Sequence, residues 1–364
     1  MRILIVDDSA VMRSLLRSVV AADARLEVAG TAADGESALQ LLEILRPDLV
    51  LLDVEMPVMD GLATLRELRR RRYTMPVIMC SSLTHRGARV TIEALACGAS
   101  DYVAKPAGQS DRETAVRVLS QELIAKIQAL TDRAQAEQEP IIFGAQPQSR
   151  NLPLLPAIKP QAASSAPAVV VIGVSTGGPA ALESLLPSLP GDLPPILIVQ
   201  HMPEVFTGLL AERLNSRCRL RVREAAEGLP PCGGTVYLAR GNWHLEVTAG
   251  AQPRLHLTQD PPENHCRPAA DVLFRSAAKT YGAGVLAVVL TGMGSDGMHG
   301  CRMVREHGGS VLAQDQATST VWGMPGAVVG AGLANRVLPL GAIAPEIVRI
   351  ARSSIAGEVY RMVV

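Results

Sequence analysis

Short aliphatic and β-branched runs, each closing on or just before a polar residue and each followed by a helical pattern, constrain this chain more than any other feature. In the first hundred or so residues the runs are 3–6, 26–30, 49–52, 77–80 and 102–104. Between them Leu15, Leu16, Val19 and Val20 form one helical stripe behind Ser9 as N-cap, Leu39, Leu42 and Leu45 a second, and Leu65 and Leu68 a third. Strands this short and apolar, separated by amphipathic helices, predict an α/β fold whose five strands form a parallel, doubly wound sheet. A charged amphipathic helix is expected over 111–133. From about 137 to 167 the period dissolves into Pro, Gln, Ala and Ser, the composition of a linker. A second α/β domain then opens with strand candidates at 169–174, 196–199, 235–238, 245–247, 255–257, 285–290, 311–313 and 337–338. The segment 228–258 lacks helical period, so antiparallel hairpins are expected there beside a mostly parallel sheet. The division expected is 1–125 for the first domain, 126–166 for the end of its last helix plus linker, and 167–364 for the second.

Composition removes several classes of function. Lys+Arg and Asp+Glu both number 35 in 364 residues, so no net charge draws the chain to nucleic acid or to a membrane surface. No helix-turn-helix or basic stripe is visible. The 6 cysteines are scattered without C-x-x-C or metal spacing, as reduced thiols would be. Acid at Asp7 and Asp8 interrupts the N-terminus before a signal-peptide core forms, and no apolar stretch reaches transmembrane length. A cytoplasmic location without membrane insertion is therefore expected.

Functional groups of a parallel α/β sheet collect at the carboxyl ends of its strands. Asp7 and Asp8 end the first run, Asp53 the third, Ser81 the fourth and Lys105 the fifth. Three carboxylates at one edge repel each other unless a cation lies among them, and hard oxygens with room for water suit Mg²⁺. One carboxylate can then attack phosphorus, with the lysine and metal neutralising the transferred group. Taken singly, Asp8 or Asp60 is better explained as a helix cap.

The second domain opens with a strand, a glycine turn and Pro179 near the start of a helix, which sets Ser175 beside unpaired backbone N–H groups. A dinucleotide loop fits poorly, because Ser175 stands where the middle glycine belongs and His201 ends the next strand instead of an acid. Residues 173–177 match G-x-S-x-G, but an α/β-hydrolase orders its triad Ser, acid, His. A purely structural glycine turn is a third reading. His201 directly follows an apolar strand, whereas His244, His256 and His265 read as structural. Asp296 follows the strand at 285–290, with Asp271 and Asp315 as alternative acids. Ser, His and Asp at three strand ends are the ingredients of a triad, which geometry and not sequence order defines.

Two resemblances join these readings. The run 53–61 (Asp-Val-Glu-Met-Pro-Val-Met-Asp-Gly) with 101–106 (Asp-Tyr-Val-Ala-Lys-Pro) resembles the receiver domain of response regulators, a flavodoxin-like fold. That resemblance implies phosphorylation of Asp53 by a sensor histidine kinase. It also implies Mg²⁺ held by Asp8, Asp53 and the Glu55 carbonyl with Asp7 in support, Ser81 and Tyr102 as the switch, Lys105 on the phosphate, and a cis Lys105–Pro106 bond. The runs 172–179 (Ile-Gly-Val-Ser-Thr-Gly-Gly-Pro), 199–203, 271–274, 290–297 (Leu-Thr-Gly-Met-Gly-Ser-Asp-Gly), 313–315 and 322–325 resemble the CheB chemotaxis methylesterases. Ala269 and Ser295 depart from the commonest spelling without touching the candidate triad. The resemblance implies hydrolysis of glutamate methyl esters on chemoreceptors and deamidation of glutamines. Ser175 would be nucleophile, His201 general base, Asp296 its orienting acid, and backbone N–H groups near Thr176 and Met293 the oxyanion donors, with no cofactor in the esterase site. It further implies that the unphosphorylated receiver packs over the catalytic cleft. A related esterase in another sensory pathway, or an output domain that only binds partners, are the alternatives.

Overall fold

The computed structural model describes residues 1–106, 112–136, 166–250 and 252–352. Its first sheet is built from β1 (Arg2–Val6), β2 (Glu27–Ala32), β3 (Leu49–Asp53), β4 (Val77–Ser81) and β5 (Asp101–Ala104). They run parallel in the order 2-1-3-4-5, the expected doubly wound arrangement. Helices α1 (Ala10–Ala21), α2 (Gly35–Leu45), α3 (Gly61–Arg70), α4 (His85–Ala96) and α5 (Arg112–Ala136) cover both faces. The starts of the first four follow from their caps: Ser9, Asp34, Asp60 and Thr84 each accept a backbone N–H from the first turn. Asp60 is thus a helix cap. The α1 stripe of Leu15, Leu16, Val19 and Val20 is buried as predicted, each side chain contributing about 1.5–3 kcal/mol of apolar transfer.

The second sheet uses β6 (Val169–Val174), β7 (Ile196–Gln200), β8 (Arg221–Glu224), β9 (Thr235–Leu238), β12 (Val285–Val289), β13 (Ser310–Gln314) and β14 (Arg336–Leu338). All seven are parallel, in the order β14-β13-β12-β6-β7-β9-β8. An antiparallel hairpin, β10 (His244–Thr248) with β11 (Arg254–Thr258), forms a sheet of its own. The expected hairpin region is therefore real but smaller than expected, because residues 235–238 pair in parallel with β7 and β8. Strand β8 escaped the sequence reading: of Arg221-Val-Arg-Glu only Val222 is buried, the pattern of an edge strand. Helices α6 (Gly178–Leu185), α7 (Glu204–Asn215), α8 (Ala270–Tyr281), α9 (Met298–Glu306), α10 (Met324–Gly330) and α11 (Leu340–Arg352) complete the layers. Residues 137–165, the bulk of the expected linker, and the C-terminal 353–364 lie outside the described residues. No helix among the described residues is long and apolar enough to cross a membrane.

Two further findings concern the first sheet. Lys105–Pro106 is trans; among the described residues the cis bond is Arg267–Pro268. The X-Pro preference amounts to only about 0.5–1 kcal/mol, so surroundings and not the dipeptide select the isomer. The second finding is where the sheets meet. Helix α4 packs on α6 and α7, and Tyr102 at the end of β5 stacks on Phe206 with ring centroids 4.6 Å apart at 25°. One apolar cluster runs from Leu65, Ile92 and Tyr102 into Leu182, Phe206 and Leu210. A second joins Leu119, Leu123 and Ile127 of α5 to Val321, with Met293 packed against it.

Candidate active site

Each sheet gathers polar side chains at its carboxyl edge. On the first, Asp7 and Asp53 are buried and Asp8 is exposed, and one oxygen from each lies within 4.8 Å of the others. Lys105 Nζ stands 2.8 Å from Asp7 Oδ2 and 2.7 Å from Asp53 Oδ1. Burial pushes the Asp53 carboxyl up, Lys105 opposes this, and the Asp7 charge adds to it. Among the described residues Asp7 Oδ2 has no partner besides the Lys105 ammonium. One ammonium against three carboxylates leaves negative charge uncompensated, and an all-oxygen set at this spacing fits a divalent cation such as Mg²⁺. Glu55 adjoins the cluster through its backbone, its N–H donating to Asp53 Oδ1 at 3.4 Å while its side chain faces Arg86.

The predicted switch residues have partners other than Asp53. Ser81 Oγ donates to the Ser82 carbonyl at 3.1 Å and shares a 2.7 Å hydrogen bond with Thr91 Oγ1 on α4. Tyr102 is buried at 5% exposure, on Phe206. Beneath its ring, Lys126 Nζ lies 5.0 Å from the centroid and donates to the Tyr102 carbonyl at 2.6 Å.

On the second sheet the strand order sets β12, β6 and β7 side by side, so Asp296, Ser175 and His201 leave adjacent strands. The Ser175 turn is tight. Ser175 N–H donates to the Thr291 carbonyl at 3.0 Å, and a Cβ on Gly292 would come 2.8 Å from Ser175 Cβ, so only glycine fits there. Gly177 takes φ 76°, the left-handed region that spares glycine the Cβ penalty. The Thr291 hydroxyl donates to the Thr176 carbonyl at 2.9 Å, and Gln200 Nε2 ties the Ser175 carbonyl (3.0 Å) to that of His201 (3.3 Å). The N–H groups of Thr176 and Met293 have no acceptor among the described residues, which leaves both free to bind an anion.

His201 Nε2 lies 2.7 Å from Asp296 Oδ2. Its Nδ1 faces Cys266 Sγ at 3.5 Å, and among the described residues Ser175 Oγ is not hydrogen-bonded to it. Burial by itself would lower the imidazole pKa; the bond to Asp296, with the neighbouring Cys266, outweighs it and pushes His201 up to about 10. For Asp296, burial raises the pKa, but His201 and the backbone donors prevail and hold it below the usual carboxylate range. Its oxygens accept from Ala270 N, Asp271 N, Gly297 N and Asn264 Nδ2 besides His201.

The alternative acids take other partners. Asp271 accepts from Gly300 N and Asn264 Nδ2, and Asp315 from Thr318. His244, expected to be structural, has both ring nitrogens on backbone: Nδ1 accepts from Ala269 N and Nε2 meets the Pro261 carbonyl. Sequence reasoning missed Gln200, Thr291, Asn264 and Cys266. Gln200 carries a readable signal, an amide closing an otherwise apolar buried strand; Asn264 and Cys266, in an aperiodic loop, carry none.

Comparison with known proteins finds relatives for both domains. Residues 170–347 match the family model of the CheB methylesterase, and residues 3–117 that of the response regulator receiver domain. A protein-glutamate methylesterase/protein-glutamine glutaminase of Nocardioides sp. is 50% identical over 349 residues, spanning 96% of this chain and 94% of its own. One of the same name from Trichodesmium erythraeum is 47% identical, spanning 96% of this chain and 98% of its own. The crystal structure of the Thermotoga maritima CheB methylesterase catalytic domain superposes with a TM-score of 0.50 at 41% identity, over 51% of this chain and 100% of that one. With an acidic receiver pocket on one sheet and Ser, His and Asp on adjacent strands of the other, the chain belongs to the CheB methylesterase family.

Proposed function

We propose that this chain is a protein-glutamate methylesterase and protein-glutamine glutaminase acting on chemoreceptors, with Ser175, His201 and Asp296 as its triad and Asp53 as its phosphorylated control residue. The observation that carries the reading is the 2.7 Å His201–Asp296 bond at the strand edge that also bears Ser175. Because Asp296 occupies Nε2, Nδ1, which faces Cys266 Sγ in this arrangement, is the nitrogen that would serve Ser175. As Ser175 Oγ bonds to the acyl carbon, its proton passes to Nδ1, and the N–H groups of Thr176 and Met293 receive the oxyanion. The carbon–oxygen bond then breaks, Nδ1 returns the proton, and methanol departs. Water repeats the sequence on the glutamyl ester of Ser175, releasing glutamate and the free serine. From a glutamine the leaving group is ammonia and every other step is the same.

In the receiver, Asp8, Asp53 and the Glu55 carbonyl would hold Mg²⁺ with Asp7 in support, and the metal would neutralise charge on the phosphoryl group. Lys105, already paired to Asp53, would take a phosphoryl oxygen. A sensor histidine kinase would be the phosphodonor. Control is supported by three features of the resting arrangement. Tyr102 and α4 grip α7, the helix that follows His201; α5 packs towards Met293; and the bond to Asp296, with Cys266 beside it, holds the His201 pKa up. A phosphoryl group on Asp53 that favours another position of Ser81 and Tyr102 would loosen the grip, as any switch requires differential binding to two states.

Methanol release from methylated receptor membranes tests this reading, with and without a small phosphodonor and Mg²⁺. Wild type should be stimulated, Asp53→Ala should keep an unstimulated basal rate, and Ser175→Ala should be inert. Equal stimulation of wild type and Asp53→Ala would remove Asp53 from the control.

A further inference from the structure

The loop between β11 and α8 reaches both ends of the His201–Asp296 pair. Asn264 Nδ2 donates to Asp296 Oδ1 and to Asp271 Oδ2, both at 2.9 Å, and two residues later Cys266 Sγ faces His201 Nδ1. The loop is held on the opposite side. Arg275 forms two hydrogen bonds to Glu263, at 2.5 and 2.6 Å, and Arg267 binds Asn242 Oδ1 and the carbonyls of Gln259 and Asp260. Asn264 itself has φ 53°, a left-handed conformation that asparagine tolerates better than most side chains. Asp271 is 0% and Asp296 2% exposed, so two buried carboxylates share one amide nitrogen.

We propose that Asn264 is a positioning residue for the esterase reaction, its amide bridging Asp296 and Asp271 so that both stay ionised and Asp296 stays aligned on His201. The role rests on Asp296 being the triad acid. An amide is suited to it, because one –NH₂ offers two protons and can satisfy two acceptors at once without adding charge. An aspartate here would set a third carboxylate beside two others; an alanine would leave them facing each other. The ionisable groups around Asp296 are His201 just after β7, Asp271 and Arg275 from α8, Glu263 and Cys266 from the loop, and Cys301 from α9, with His244 of β10 beside Glu263. Arg275 is committed to Glu263, and none of the others supplies a donor common to both carboxylates. Asp271, pushed up by burial with the Asp296 charge adding to it, is the group poised to take a proton if the bridge is lost.

The experiment compares pH–rate profiles of the full-length enzyme, its phosphodonor and Mg²⁺ present, for wild type, Asn264→Ala, Asn264→Ser and Asp296→Asn, each checked by thermal melting. In Asn264→Ala, kcat should fall roughly 10- to 100-fold at neutral pH, the loss of a hydrogen bond to a charged group, with KM little changed. The acid limb of its profile should also shift by on the order of one pH unit. Asn264→Ser, which retains one donor, should fall between wild type and alanine on both readouts, and it carries the test if alanine does not fold. A uniform fall across all pH values, with no movement of the acid limb in either variant, would assign Asn264 a merely structural part and overturn the proposal. An Asp296→Asn enzyme as active as wild type would instead sink the triad reading, a separate outcome.

Discussion

Replacing Asp296 by asparagine removes one charge and, through the hydrogen-bond geometry, one proton acceptor. Oδ1 accepts three donors (Asn264 Nδ2, Asp271 N and Gly297 N) and Oδ2 accepts two (Ala270 N and His201 Nε2). An asparagine has a single oxygen, and three donors outweigh two, so its –NH₂ would turn towards Ala270 N–H and His201. It can donate to Nε2 only if that nitrogen is bare, which moves the imidazole proton to Nδ1, the atom proposed to receive the proton of Ser175. The variant would therefore hold the base in the wrong tautomer. A triad whose acid is replaced by its amide loses on the order of 10⁴ in kcat, equivalent to about 5.5 kcal/mol of transition-state stabilisation. Methanol release under saturating receptor, phosphodonor and Mg²⁺ measures it, and circular dichroism melting confirms that the buried site still folds. A folded Asp296→Asn enzyme within about tenfold of wild type would refute the reasoning, since no wrong-tautomer histidine could support such a rate.

Other expectations are shorter to state. Tyr102→Ala removes an aromatic stack worth about 0.5–1.5 kcal/mol, so the basal rate without phosphodonor should rise roughly 2- to 10-fold; an unchanged basal rate would detach the stack from inhibition. Because His201 is held up to about 10, the basal esterase rate should climb with pH through the alkaline range, and a flat profile between about pH 7 and 10 would contradict the resting geometry. The same pair bears on stability. Raised His201 contributes fully below its ordinary pKa near 6.5 and loses that contribution as pH rises through about 10, while lowered Asp296 contributes above 3.8 and loses it as pH falls through its depressed value. The melting-temperature gap between wild type and His201→Gln should thus be widest near about pH 5–6 and close on either side; a gap that does not vary with pH would argue against the ion pair.

What could be read without coordinates follows a physical line. Asp7, Asp53, Ser81, Lys105, Ser175 and His201 directly abut apolar runs, and a parallel sheet delivers strand ends to one edge, so local pattern suffices to place them. Asp296, just past a strand, is the better candidate acid on that ground, with Asp271 and Asp315 behind it, but pattern alone does not show which of them faces His201. Asp296 and Asp271 both precede or open helices, and only the meeting of β12 with β6 and β7 decides which one His201 reaches. Asn264 and Cys266 act across a loop without period, where spacing says nothing about neighbours. Residues 235–238 read as part of a hairpin because alternation reveals a strand but not its partner. The contact between the sheets was equally hidden, since a buried Ile92 or Phe206 looks the same whether it is covered by its own sheet or by the other.

Under the proposed control by Asp53, the continuity of the apolar cluster from Tyr102 and Ile92 into Phe206 and Leu210 would set two opposed limits on the enzyme as a signalling device. Every methyl group buried across that seam lowers the leak of the unstimulated enzyme. The same methyl group lowers the largest response that phosphorylation can draw, because the phosphoryl group must supply the difference between closed and open populations. Moving such an equilibrium from 1:99 to 99:1 takes about 5.5 kcal/mol, more than an exposed ion pair such as Arg89–Glu212 could contribute. Trimming or filling side chains at this seam would therefore tune quietness against gain, without any change in the chemistry at Ser175.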